Sequence, residues 1–346
     1  MRAEPPPALA APRLAVRRWL PAVGLVLVVA MAGLLIGSVG LRAMGVLGAL
    51  LDRLPLISVD HGLTPTQLDV LLEIRAPRVV MGAMVGAILA VAGAGYQGVF
   101  RNPLADPYLL GVAAGAGLGA TLIIGLGAGS GWIPPFAFAG GLASVVLTYA
   151  LSRTVGGRTT TSLILAGVAV AAFATAIQTF LLQRNNDTLR EVYSWILGRL
   201  TTIGWSEVGL LLPYGAVATF ALVIHRRHLD VLALGDEESA ALGIDVARVR
   251  LLVVGAATLA TAAAVAVSGL IGFVGIIVPH TVRLITGWSY RVIIPLSLAY
   301  GAVFLMLADL GARTLIAPAE LPIGVVTAFV GAPFFLLVLR SMRGSS

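Results

Sequence analysis

The sequence contains no cysteine and no lysine. Without cysteine there can be no disulfide framework, no thiolate nucleophile and no cysteine metal site. Without lysine there is neither a Schiff-base amine nor the phosphate-contacting lysine of a P-loop, so nucleotide-driven work must fall to another chain. Charge of any kind is scarce, with 11% of the 346 residues charged, against about 25% in soluble domains. The four histidines, His61, His225, His228 and His280, show no metal-ligand spacing such as H-E-x-x-H. They also lack an evident Ser or Asp partner for hydrolytic chemistry. No cofactor and no resident metal are expected.

Apolar residues fill the space, at 58% of the chain. Runs of about 20 such residues cross a bilayer as helices, whereas a β-barrel would show short alternating segments. Runs begin near Leu20, Val79, Tyr108, Pro135, Ser162, Ser206, Leu251, Leu270, Val292 and Pro322. The fold class predicted is all-α integral membrane, with ten transmembrane helices. The eighth is short and holds Pro279. Residues 1–18 read as a flexible basic tail, 19–341 as the transmembrane domain with a cytoplasmic loop at 226–249, and 342–346 as a second tail. Because more spans follow, the first run reads as a signal anchor rather than a cleaved signal peptide.

The net charge of +7 comes from 23 arginines set at the ends of apolar runs rather than in one basic patch. That distribution speaks for membrane orientation and against nucleic acid. With the N-terminus placed inside, 15 arginines fall on that side and 8 on the other. The positive-inside rule then puts both termini in the cytoplasm.

Small residues recur every fourth position at Gly82, Gly86, Ala90, Ala94 and Gly98, and again at Gly111, Gly115 and Gly119. Such stripes let helix backbones approach closely, which marks the second and third spans as central packing elements. Ala90-Val-Ala-Gly93 is echoed by Ala266-Val-Ser-Gly269, each with a proline ten residues on. An inverted repeat would produce that echo.

Three constellations could carry function. Between the second and third spans, Arg101, Asn102 and Asp106 form a short polar turn, with Asp106 placed to cap the next helix and Pro107 in its first turn. Between the sixth and seventh, Leu229–Leu234 reads as one short helix that Gly235 breaks. Asp236, Glu237 and Glu238 then open a second at its positive end, and Gly243 stops it. Two short helices in a cytoplasmic loop suggest a docking knob for a soluble partner. On the outer side, Arg75, Arg78 and Arg313 run against the positive-inside trend. Snorkelling to the membrane surface would explain the first two, and an i,i+4 ion pair with Asp309 the third. Ionisable residues are almost missing from the middle of spans, with Asp309, Glu207 and His280 read near ends, which disfavours an ion-coupled secondary transporter.

Four stretches carry a resemblance to a known family: Arg75-Ala-Pro-Arg78; Gln97 to Gly111 with its Asn102-Pro-Leu-Ala-Asp-Pro107 core; Gly269 to His280; and Glu320 to Val326 followed by Gly331-Ala-Pro-Phe334. From about residue 20 to residue 340 the chain resembles the FecCD-type permeases of type II ABC importers, which take up ferric siderophores, haem and cobalamin. The resemblance implies ten helices per subunit in a bacterial inner membrane and a dimer, with a second copy or a similar subunit, around a two-fold translocation path. It implies two ABC ATPase subunits docked at Leu234, Gly235, Asp236, Ala240, Leu242 and Gly243. It also implies an extracytoplasmic substrate-binding protein docked at Arg75, Arg78 and Arg313. The cytoplasmic gate would fall at Asn102 and Leu104 and at Thr160 and Thr161, within Thr159-Thr-Thr-Ser162. The fifth span and the segment Tyr193–Leu200 would line the path and its outer closure. A ferric siderophore is the cargo most common among such chains.

Overall fold

The computed structural model describes residues 16–343, apart from 38, 54, 56–57, 155–159 and 201–203. The N-terminal tail up to residue 15, Thr159 and the last three residues therefore lie outside the described residues. Among those described there are helices and turns and no strand. Seven helical stretches are long and apolar enough to cross a membrane, and three shorter apolar helices, Val112–Gly125, Val274–Thr286 and Ile323–Val338, complete a set of ten. The short eighth element anticipated around Pro279 is the second of these three.

In chain order the helices are α1 (Val16–Leu35), α2 (Ala43–Leu51), α3 (Pro65–Asp69), α4 (Ala76–Val99), α5 (Val112–Gly125), α6 (Ile133–Thr154) and α7 (Thr160–Arg184). They continue with α8 (Leu189–Ile196), α9 (Ser206–Leu232), α10 (Asp236–Ala241), α11 (Val246–Ser268), α12 (Val274–Thr286), α13 (Tyr290–Thr314) and α14 (Ile323–Arg343).

The second span starts well before Val79. Thr64 and Gln67 form a reciprocal capping box with Pro65 at the first position, which satisfies the end N–H groups. A wider π-type turn, Val70–Arg75, then carries the helix into α4 without a break. The third span starts later than Tyr108. Asp106 does not cap it: its Oδ1 accepts the Tyr108 N–H at 2.6 Å and closes a turn. Helix α5 begins only after Gly111, whose φ of 83° is a left-handed conformation that an L side chain resists.

Helix α4 is the axis of the bundle, with 20 of its 24 residues buried. Helix α13 runs antiparallel along it: Arg78 meets Asp309, Gly86 meets Gly301, and Gly98 meets Tyr290. A Cβ at Gly86 would stand 2.2 Å from the Gly301 carbonyl oxygen, and one at Gly93 would stand 1.9 Å from that of Gly275 in α12. The second stripe does the same for α5 and α6, where a Cβ at Gly115 would lie 2.3 Å from the Gly140 oxygen. Backbone meets backbone at Gly86 in the first stripe and at Gly115 and Gly119 in the second, while Gly82, Gly98 and Gly111 face side chains. Buried polar groups tie α4 to α11 and α12: Tyr96 Oη and Thr258 Oγ1 are 2.7 Å apart, and Gln97 Nε2 donates to Gly275 O at 3.2 Å.

Around this core, α1, α6, α7 and α9 turn apolar side chains outward. The Ala-Val-Ala-Gly echo falls in the middle of α4 but at the C-terminal end of α11. The four matched residues therefore do not occupy equivalent places. His280 lies mid-way along α12 rather than near an end, because the eighth span is only 13 residues long.

Candidate functional site

Two clusters of charge close the opposite ends of α4. At its N-terminal end Arg75, Arg78 and Arg313 converge, but each guanidinium already has partners within the chain. Arg78, 9% exposed, donates through Nε to Asp309 at 2.9 Å and through both Nη atoms to Glu320 at 3.0 and 2.9 Å. Arg313 faces the second oxygen of Asp309 at 3.0 Å and donates to the Gly33 and Ile36 carbonyls. Arg75, 5% exposed, donates to the carbonyls of Leu34, Leu35 and Val39 at the end of α1. The i,i+4 pair anticipated for Arg313 is present. Snorkelling does not describe Arg75 and Arg78, because both heads point inward to acceptors.

This network ties α1, α4, α13 and the chain entering α14 into one unit. Asp309 was legible as the partner of Arg313, but neither it nor Glu320 was legible as a partner of Arg78. They lie more than 230 residues from Arg78, with no local spacing to betray them. Two cavities flank the network. One of about 460 Å³ is lined by Arg75, Arg78, Arg313 and Glu320 together with Ile36, Val39, Val70 and Ile74. A smaller one of about 190 Å³ lies toward Ser194 and Arg199. Beside them the turn after α8 is locked by backbone contacts. Gly198 O accepts from Ile323 N, Leu197 O accepts from Gly324 N, and Ser268 O accepts from Arg199 N.

At the other end of α4 the polar turn is held tightly. Arg101 takes a left-handed φ of 49°. Asn102 Oδ1 accepts the Leu104 N–H at 2.9 Å and so closes its own turn, with Asn102 exposed and Leu104 half-buried. Burial pushes the Asp106 carboxyl up to about 6, and the Tyr108 N–H bond offsets part of that rise. Thr161 is exposed at the start of α7, where Thr160 is the first helical residue.

The loop at 226–249 differs from expectation in one respect. Leu229–Leu232 does not form a separate short helix but is the last turn of α9, which runs on unbroken to Leu232 and is capped at Ala233. The break at Gly235, φ 132°, and the stop at Gly243, φ 82°, stand where expected. Between them α10 is pinned by Ser239, fully buried, whose hydroxyl donates to the carbonyls of Val231 and Gly235. Leu234 and Leu242, 61% and 64% exposed, flank this short helix, and Ala240 is exposed on it. The short helix and its flanks thus present two apolar side chains at the end of the bundle.

A third feature lies along the side of the bundle. A wholly non-ionic cavity of about 590 Å³ is walled by Ile196, Leu197, Leu270, Val325, Phe329 and Pro333, from α8, α14 and the turn before α12. Among the described residues no cluster of three His, Cys, Asp or Glu side chains could hold a metal.

Ten apolar helices, with α4 buried among the others and charged clusters at its two ends, define a multi-span membrane protein. The profile of the FecCD transport family matches residues 25–341, and the chain belongs to that family. It is similar, at 42% identity over 81% of each chain, to an uncharacterized ABC transporter permease, YvrB, of Bacillus subtilis. It is also 42% identical to the cobalamin import system permease BtuC of Halobacterium salinarum, over 82% of this chain and 76% of that one. Among solved structures it is similar to a candidate metal-chelate type ABC transporter in an inward-facing conformation, with a TM-score of 0.82. That likeness has 29% identity and covers 94% of this chain and 99% of the other.

Proposed function

We propose that this chain is the channel-forming subunit of an ATP-driven importer of metal chelates, pairing with a second permease subunit around a shared path. The observation that carries the reading is α10: a helix immobilised by Ser239, bounded by two glycines of positive φ, with Leu234 and Leu242 exposed on either side. Such a knob suits insertion into a cleft of a soluble ATPase, with Gly235, Asp236, Ala240 and Gly243 in the contact. The end carrying α10 is then cytoplasmic, which agrees with the arginine bias of the sequence. Asn102, Leu104, Thr160 and Thr161 stand at the same end as the gate. The exposed apolar faces of α7 and α14 and the lateral cavity are the surfaces a second subunit and the path would share.

The opposite end receives the substrate-binding protein. Arg75, Arg78 and Arg313 contribute there as the framework of the docking face, and a docking carboxylate that reached Arg78 would have to displace Glu320. Capture should weaken with salt, since charge-steered association is screened.

A ferric siderophore is the cargo proposed first. The identity to a cobalamin permease favours cobalamin as the second reading. The test is uptake by proteoliposomes holding this chain, its ATPase and its binding protein, with a labelled ferric hydroxamate siderophore, haem and cyanocobalamin compared. Uptake that needs both ATPase and ATP is expected. Uptake driven by an ion gradient without the ATPase would overturn the reading.

A further inference from the structure

One carboxylate joins the two cytoplasmic elements that the proposed function treats separately. Asp236, the first residue of α10, accepts Arg101 Nη2 at 2.9 Å and Arg250 Nη2 at 3.1 Å. Arg101 is the residue immediately before Asn102, so the pair runs from the knob to the turn expected to gate. Arg250 sits on α11 and is the more buried of the two arginines, with 19% of its side chain exposed against 41% for Arg101. Arg250 therefore anchors α10 to the bundle, while Arg101 joins it to the turn.

Two facts argue against a purely structural role for the Arg101 arm. An ion pair so open to solvent contributes little to stability. Arg101 is also one of two described non-glycine residues with positive φ, the other being Phe273, and that conformation is unfavourable for an L residue. A strained backbone held by a weak, exposed, long-range pair is suited to breaking and reforming within a cycle.

We propose that Arg101 is a positioning residue and that its bond to Asp236 is the clasp by which displacement of α10 moves the Asn102–Leu104 turn. This rests on α10 being the ATPase contact. Differential occupancy of the clasp in two nucleotide states would supply the coupling free energy that such transmission requires.

The absence of native cysteine makes the test direct. Leu104→Cys introduces a single thiol into the full chain, co-expressed with its ABC ATPase and placed in nanodiscs. The rate of modification by a charged maleimide is measured without nucleotide and with ATP plus vanadate. With Arg101 present the rate should shift by about tenfold between the two states. Arg101→Gln should abolish that shift while ATP hydrolysis persists, Arg101→Lys should restore it, and Arg250→Gln should leave it in place. A full shift in the Arg101→Gln background overturns the clasp, as does an equal loss in Arg250→Gln, which would show a general loosening of α10. Absence of any shift with Arg101 present while hydrolysis proceeds also overturns it. Failure of the ATPase to co-purify with the otherwise unaltered chain would instead sink the docking assignment beneath it.

Discussion

At the scale of single residues the informative groups are the buried charges. Arg78 is held by two carboxylates, and one of them, Asp309, is buried and shared with Arg313. Removing one partner of a buried pair leaves the other uncompensated, so Arg78→Ala should cost about 3–5 kcal/mol. Glu320 has 44% of its side chain exposed, and Glu320→Gln should cost no more than about 1 kcal/mol. Thermal unfolding of both variants in detergent checks the order, and equal losses would contradict it. Asp106 gives a pH signature. Its carboxyl, raised by burial to about 6, binds its proton more tightly folded than unfolded. Stability from this group is therefore full below the ordinary carboxylate range and lost as pH rises through about 6. Asp106→Asn keeps an acceptor for the Tyr108 N–H, so its melting temperature should fall less than that of the unaltered chain between pH 5 and pH 8. Parallel curves would refute the shift. The sequence exposes the arginines, because they stand at the ends of apolar runs. It shows Asp309 beside Arg313, four residues away, but hides Asp309 and Glu320 as partners of Arg78, because pairing across more than 230 residues is set by tertiary packing alone.

At the scale of helices the small-residue stripes were readable in advance, since a four-residue spacing puts Gly82, Gly86, Ala90, Ala94 and Gly98 on one helical face. Which helix each glycine meets was not readable. Gly86 faces Gly301 of α13, while Gly93, outside the stripe, faces Gly275 of α12. A methyl group at Gly93 would collide with rigid backbone, so Gly93→Ala should destabilise by about 3 kcal/mol as α4 and α12 are forced apart. Gly255 in α11 offers the contrast, for a Cβ there meets nothing within 4 Å. Gly255→Ala should be neutral or stabilise by up to about 1 kcal/mol through helix propensity. Melting the two variants side by side checks the pair, and a Gly93→Ala protein that melts with the unaltered chain would deny the seam. Helix boundaries were legible where a breaker stands, as at Gly235 and Gly243. They were missed where continuity is sterically silent: Pro65 opens a helix early and a π-type turn extends it, and α9 runs unbroken through Leu229–Leu232.

At the scale of the whole molecule, function depends on separating what holds the bundle together from what meets its partners. The ionic network near Arg78 belongs to the first kind, since its guanidiniums and carboxylates pair with one another within the chain. The α10 knob is proposed to belong to the second, with its pinning residue buried and its flanking leucines exposed. Gly243 tests that division. It is exposed, its φ is 82°, and a Cβ there would meet no neighbouring atom. A larger residue adds backbone strain of about 1–2 kcal/mol, too local to undo a ten-helix bundle. Gly243→Arg also projects a long charged side chain beside Leu242, into whatever surface receives the knob. The variant should insert, purify and melt close to the unaltered chain, yet fail to retain the ATPase. Co-purification of the ATPase in normal yield would refute the docking assignment, whereas loss of membrane insertion would show that this loop belongs to the bundle's own stability.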